Sequence, residues 1–315
     1  MPLLRVNAQS DRPALHGDGN LDGTLAAALA ALPPGAPVVV MIHGFKFSPF
    51  RHETSPHRHI LSMAPRRACW KALSWPRHLG FGRGDGHEGL AIALGWDGSG
   101  DIWQAWHRAG IAGAALARLL RMIACHRAGP VDIMAHSLGA RVALTALSAS
   151  GAGAVGRVVL LSAAAFTHEA QAALDTPAGR SAEVVNVTSR ENDVFDALFE
   201  GFVGGFRLGR TIGSGLRNAP RNWVDLQIDK DRTREGLAAL GFRIPAPKTR
   251  VCHWSSYLRP GLFPLYRALI RDRAALPLGL LRQIAPAQDP RWSRLIPVRL
   301  PRLRGPWGGA GLARS

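Results

Sequence analysis

Residues 131–139 read Val131-Asp132-Ile133-Met134-Ala135-His136-Ser137-Leu138-Gly139, and Ala140-Arg141-Val142-Ala143-Leu144 follow. An apolar, β-branched run leads into Ser137, and a small-residue helical pattern leads away from it. Strand, sharp turn, helix is the context in which a serine becomes a nucleophile. The turn is tight enough to require small residues two positions before and two positions after the serine. Gly139 supplies one, and Ala135 the other, carrying one methyl more than the glycine usual there. The turn lifts the Ser137 hydroxyl to the carboxyl edge of a sheet. It also leaves the N–H of Leu138, at the helix start, free to bind an oxyanion.

A second signal lies upstream. The run Pro37-Val38-Val39-Val40-Met41-Ile42 ends in His43-Gly44-Phe45. A strand ending in His-Gly-apolar suits a second oxyanion donor, here the N–H of Phe45. Gly44 lets the backbone come close without a Cβ clash. His43 precedes the serine and is expected to hold this loop by hydrogen bonding rather than to act as a base. His136, within the turn itself, points away from substrate or lines the pocket.

These two motifs, in this order, resemble the α/β-hydrolase superfamily. Within it the chain is most similar to bacterial serine esterases and lipase-like hydrolases of poorly defined substrate. The resemblance spans about residues 37–270. It implies an α/β-hydrolase fold, a mostly parallel central sheet with helices on both faces. It implies carboxylic ester hydrolysis through an acyl-serine intermediate, with no metal or organic cofactor. It also implies the chain order serine, acid, histidine.

That order confines the search to residues after Ser137. Glu183-Val184-Val185-Asn186-Val187-Thr188 reads as a strand, and Ser189-Arg190-Glu191-Asn192-Asp193 as the loop beyond it. Asp193 matches the family position of the acid best. Glu191, Asp196 and Asp225 are rivals, and Asp193 also suits a helix N-cap for residues 194–200. The base is expected to be His253, with no histidine after it and a helix at 263–273 following. His168 would break the order. The expected site is therefore Ser137, Asp193 and His253, with an oxyanion hole from Phe45 and Leu138. The same triad serves acyl transfer and thioester hydrolysis. A scaffold that keeps the fold without the chemistry, recruited to anionic partners by its charge, is the reading from another class.

Composition bounds the rest. A chain of 315 residues, 47% hydrophobic, can hold one large α/β domain. Residues 1–36 read as an N-terminal segment with an edge strand at 3–6, residues 37–273 as the hydrolase domain, and residues 274–315 as a basic Pro/Arg-rich tail. The last stretch, 303–315, is expected to be loosely attached. Residues 46–88 carry five of the twelve histidines, many arginines and a glycine cluster. They are expected to form a mobile insertion over the site, with one helix near 64–73. His57 and His59 lack the flanking ligands of a zinc site. Between the acid and the histidine, Phe195, Leu198, Phe199, Phe202, Phe206 and Leu208 suit either a core helix or the wall of an apolar acyl pocket.

The formal net charge of +17 is mostly arginine without a nucleic-acid motif, so no nucleic acid is expected. Weak contact with an anionic membrane surface is compatible with it. The expected partner is a small-molecule or lipid-like ester. No apolar stretch of membrane-spanning length and no leader pattern stand out, and Cys69, Cys125 and Cys252 show neither disulfide nor metal spacing. A cytoplasmic setting is the expectation.

Overall fold

The computed structural model describes residues 2–66, 69–84, 87–205 and 210–296. Along the first half run β1 (Leu3–Gln9), β2 (Arg12–Leu15), α1 (Leu21–Ala30), β3 (Val38–Ile42), α2 (Trp75–His78), β4 (Leu90–Gly95), α3 (Ile102–His126), β5 (Val131–His136) and α4 (Gly139–Ser148). There follow β6 (Val155–Leu161), α5 (Thr167–Leu174), α6 (Pro177–Ser181), β7 (Glu183–Thr188), α7 (Asp193–Gly204) and β8 (Trp223–Gln227). The chain continues through α8 (Asp231–Ala239), α9 (Ser255–Leu258), α10 (Leu262–Arg271) and α11 (Leu278–Ile284).

The strands form one eight-stranded sheet in the order β2-β1-β4-β3-β5-β6-β7-β8. Only the β1–β2 pair is antiparallel; every other pair is parallel. Parallel strands covered on both faces bury every side chain, which is why β3, β4 and β5 read as unbroken apolar runs. Alternate residues feed two cores. Val38, Val40 and Ile42 pack with the buried faces of α1, α3, α4 and α5. Val39 and Met41 pack on the other side with α2, α10 and α11. The expected α/β-hydrolase architecture, a mostly parallel sheet with helices on both faces, is therefore the architecture found.

Helix α3 is long and apolar enough to cross a membrane, but here it is a core helix. Its small residues Ala105, Ala109, Ala112 and Gly113 are buried, and the helix packs on α4. A Cβ on Gly113 would come within 2.4 Å of Thr145 Cβ, so the missing side chain sets the approach of the two helices.

Three parts differ from the sequence expectation. The N-terminal strand is not an edge strand ending at residue 6: β1 runs to Gln9 and lies between β2 and β4, and the Asn7 amide oxygen accepts from His57 Nε2 at 2.8 Å. The 46–88 connection is anchored rather than loose, since Ile60, Leu61, Trp75, Leu79 and Phe81 are all buried in the second core. Its helix is α2 rather than the one expected near 64–73, a stretch that includes two residues outside the described set. Up to Ile296, the basic tail folds back on the domain through α11, which packs on β8 and α8. The expectation for 303–315 falls outside the described residues.

Candidate active site

Ser137 sits on the turn between β5 and α4 with φ of 54°. A non-glycine residue in the left-handed region costs on the order of 1–3 kcal/mol and persists only where its surroundings dictate it. They do so here. The Ser137 N–H donates to Leu161 O at 2.9 Å, and its carbonyl accepts from Ala140 and Ala164, both at 3.0 Å. Gly139 permits the turn because a Cβ there would come 2.5 Å from His43 O.

The structure brings His253 to this serine. Ser137 Oγ lies 2.8 Å from His253 Nε2, across 116 residues of chain. His253 Nδ1 lies 2.6 Å from Asn192 Oδ1. One tautomer satisfies both contacts: the serine hydroxyl donates to Nε2, and the Nδ1–H donates to the amide oxygen. The His253 carbonyl accepts from His136 Nε2 at 3.2 Å, and Phe195 packs against the imidazole with centroids 4.8 Å apart. Burial, then the neighbouring His136 and Lys71, hold the His253 pKa well below the usual histidine value. The ring is therefore neutral at neutral pH and open to a proton at Nε2.

Asp193 is not at the histidine. Its carboxylate accepts the Trp292 N–H at 2.7 Å and faces Arg190 at 3.2 Å. The reason is helical geometry. Asn192 ends a 3₁₀ turn (Arg190–Asn192) and Asp193 begins α7, where successive side chains diverge by about 100°. Asn192 faces His253, so its neighbour must face elsewhere. Glu191 is engaged with Arg259 and, at 2.9 Å, the Thr249 hydroxyl. Asp225 accepts from the Trp223 indole at 2.8 Å, from Asn186 at 2.7 Å and from the Leu216 N–H at 2.9 Å. Asp196 accepts from Asn192 Nδ2 at 3.0 Å. His168 stacks on Phe166, 5.6 Å between centroids, apart from Ser137. A search restricted to carboxylates passes over Asn192. An amide oxygen accepts a hydrogen bond as a carboxylate oxygen does, and that was the available signal.

The His43-Gly44-Phe45 loop faces the serine. A Cβ on Gly44 would stand 2.7 Å from Ser137 Cβ. His43 is fully buried and stacked on Trp96, with centroids 5.3 Å apart. Its Nε2 accepts the Trp96 N–H at 3.0 Å, so its Nδ1–H donates to Gly44 O at 2.8 Å. Burial lowers its pKa to about 4, which keeps that tautomer neutral. His43 thus braces the loop. Among the described residues, the N–H groups of Phe45 and Leu138 make no hydrogen bond, and both residues border the cavity at Ser137.

That cavity has a volume of about 640 Å³ and is walled by Phe45, Phe47, Phe195, Leu198, Phe199 and Trp254. Phe206 and Leu208, expected in the same wall, lie outside the described residues. Lys71 Nζ stands 3.2 Å over the Trp254 ring at its rim. The 46–88 connection therefore reaches the cavity, through Phe47, His59 and Lys71. Among the described residues, no group of His, Cys, Asp and Glu is placed to hold a metal ion.

No family model and no curated protein matches the chain. Among solved structures, it is similar to a Bacillus licheniformis lipase crystallised in propeptide form, at 15% identity and a TM-score of 0.39. The match covers 76% of this chain and 51% of that one, so the chain spans about half the length of that lipase.

Proposed function

We propose that the chain is a serine hydrolase that cleaves esters of apolar carboxylic acids through an acyl-serine intermediate. The observation that carries this reading is the 2.8 Å contact of Ser137 Oγ with His253 Nε2, on a left-handed turn opening to an apolar cavity. Ser137 attacks the ester carbonyl while its proton passes to Nε2. The Phe45 and Leu138 N–H groups donate to the carbonyl oxygen as its charge develops, a contribution worth about a hundred- to a thousandfold per donor. The imidazolium then protonates the departing alkoxide. Water, deprotonated by the same nitrogen, releases the acid. Asn192 fixes the ring through its Nδ1–H. The aromatic walls suit an acyl chain, and the half-exposed Leu198 and Phe202 at the mouth suit a lipid-like one. Three unpaired cysteines fit a cytoplasmic setting.

A fluorophosphonate probe tests the reading: the wild-type protein should label and Ser137→Ala should not. Turnover of a series of nitrophenyl esters of rising acyl length would then define the chain accepted. Labelling that survives in Ser137→Ala overturns the assignment. One observation favours a second reading, a hydrolase fold kept for binding: the neutral Asn192 where a triad carboxylate is expected. Failure of the wild-type protein to label would favour it.

A further inference from the structure

Asn192 is not the end of the chain of hydrogen bonds. Its Oδ1 takes the His253 Nδ1–H at 2.6 Å, and its Nδ2 donates to Asp196 Oδ1 at 3.0 Å. The amide cannot be turned over without setting its oxygen against a carboxylate oxygen. Residues 192 and 196 lie four apart, one turn along the start of α7, so both face the same way. Ser137, His253, Asn192 and Asp196 therefore form one line, with every donor pointing toward the carboxylate.

Asp196 has no other evident employment. It is buried, and its second oxygen has no hydrogen-bond partner among the described residues. Gly213 packs so closely that a Cβ there would stand 2.1 Å from that oxygen. The nearby cations are committed elsewhere. Arg190 reaches Asp193, Gly213 O and Gln288, and Arg291 pairs with Glu200 at 2.7 Å. A buried carboxylate without an ion pair of its own is costly. Its one hydrogen bond holds the amide that holds the histidine.

We propose that Asp196 is a positioning residue that supplies the triad's negative charge at one remove, through the Asn192 amide. This rests on the reading of Ser137 and His253 as nucleophile and base. A carboxylate accepting from Nδ2 polarises the amide and makes Oδ1 a stronger acceptor, because hydrogen bonds in series reinforce one another. When His253 takes the serine proton, the imidazolium then faces an amide backed by a charge rather than a lone dipole. Burial raises the Asp196 pKa to about 7; Arg190 and Arg291 pull it down, while Asp193 and Glu200 push it up. The His253 pKa lies well below 6.5. Activity should therefore rise through about pH 7 as Asp196 loses its proton, while the histidine is already neutral.

Three variants and one spectroscopic measurement test this. Asp196→Asn should lower kcat by roughly ten- to a hundredfold with KM nearly unchanged, less than the roughly ten-thousandfold cost of neutralising a carboxylate directly on the histidine. The limb near pH 7 should vanish with it. Asn192→Asp alone sets two carboxylates in contact, which must share a proton and raise the apparent pKa of the pair. Asn192→Asp/Asp196→Asn moves the charge onto Nδ1 and should restore kcat to within a few-fold of wild type. An Asp196→Asn protein with wild-type kcat and an unmoved limb overturns the proposal, as does a folded double variant no better than Asp196→Asn. If Asp196→Asn does not fold, the Nδ1–H proton resonance of His253 in the wild-type protein decides. It should shift with a midpoint near pH 7, and a flat trace overturns the proposal. That resonance needs no turnover, so it still tests the Asp196 link if the protein hydrolyses no ester.

Discussion

Replacing Gly44 by alanine should damage turnover far more than one methyl group would suggest. The new Cβ would stand 2.7 Å from Ser137 Cβ, 3.0 Å from His136 O and 3.3 Å from His136 Nδ1. Carbon atoms settle at about 3.5–4.0 Å, so one side must retreat by on the order of 1 Å. Ser137 cannot easily give way, because its backbone N–H and carbonyl are tied to β6 and the segment after it. The loop of Phe45 must move instead, and with it an N–H that has to lie within about 3 Å of the developing oxyanion. Loss of one such donor costs about a hundred- to a thousandfold in kcat, or roughly 2.7–4 kcal/mol of transition-state stabilisation. KM for a short nitrophenyl ester should change less than kcat, since Phe195, Leu198, Phe199 and Trp254 keep their part of the cavity wall. Steady-state kinetics beside a thermal melt would measure both effects. A folded Gly44→Ala protein within threefold of wild-type kcat would refute the assignment of Phe45 as an oxyanion donor.

Other variants probe the remaining parts. Ser137→Ala should abolish probe labelling and lower turnover by about a million-fold, as removal of a triad nucleophile does; Ser137→Gly should do the same while melting slightly higher, because glycine relieves the left-handed strain of φ 54°. His253→Ala should be inactive and His168→Ala near wild type, so the reverse pattern in esterase assays would exchange the two histidines. Asp193→Asn should leave kcat within a few-fold and lower the melting temperature, because its carboxylate serves Trp292 and Arg190 rather than His253. A collapse of kcat in a fully folded Asp193→Asn protein would restore Asp193 to the triad.

The parts of the site legible in the sequence are those set by backbone constraint. A tight turn after a buried strand admits few residue types, so Ser137, Gly139 and Gly44 announce themselves. The position of His253 follows from chain order, and the structure does place it on Ser137. The third partner depends instead on which residue of a loop faces inward, and that is a matter of helix phase. Sequence spacing cannot fix the phase of a 3₁₀ turn running into a helix, so Asp193 and Asn192 exchange places. The 46–88 connection misleads for a different reason. Its histidines, arginines and glycines suggest a mobile insertion, yet His57 is buried and pairs with Asn7, fifty residues earlier. Long-range pairs of this kind leave no local pattern.

Among the described residues, none beyond α11 lines the cavity, yet 288–292 close around the loop next to His253. The Trp292 N–H serves Asp193, Gln288 accepts from Arg190, and Arg291 pairs with Glu200. Asp193 and Trp292 are 99 residues apart. On the ribosome, the loop that orients His253 thus waits for nearly a hundred further residues before its buried charges find their partners. A nascent chain released before Gln288 would carry every described residue that lines the cavity and still leave Arg190, Asp193 and Glu200 short of their final partners. Activity would then appear late in synthesis, after the sheet has formed, and residues 288–292 would work as a clasp on a site whose cavity they do not line.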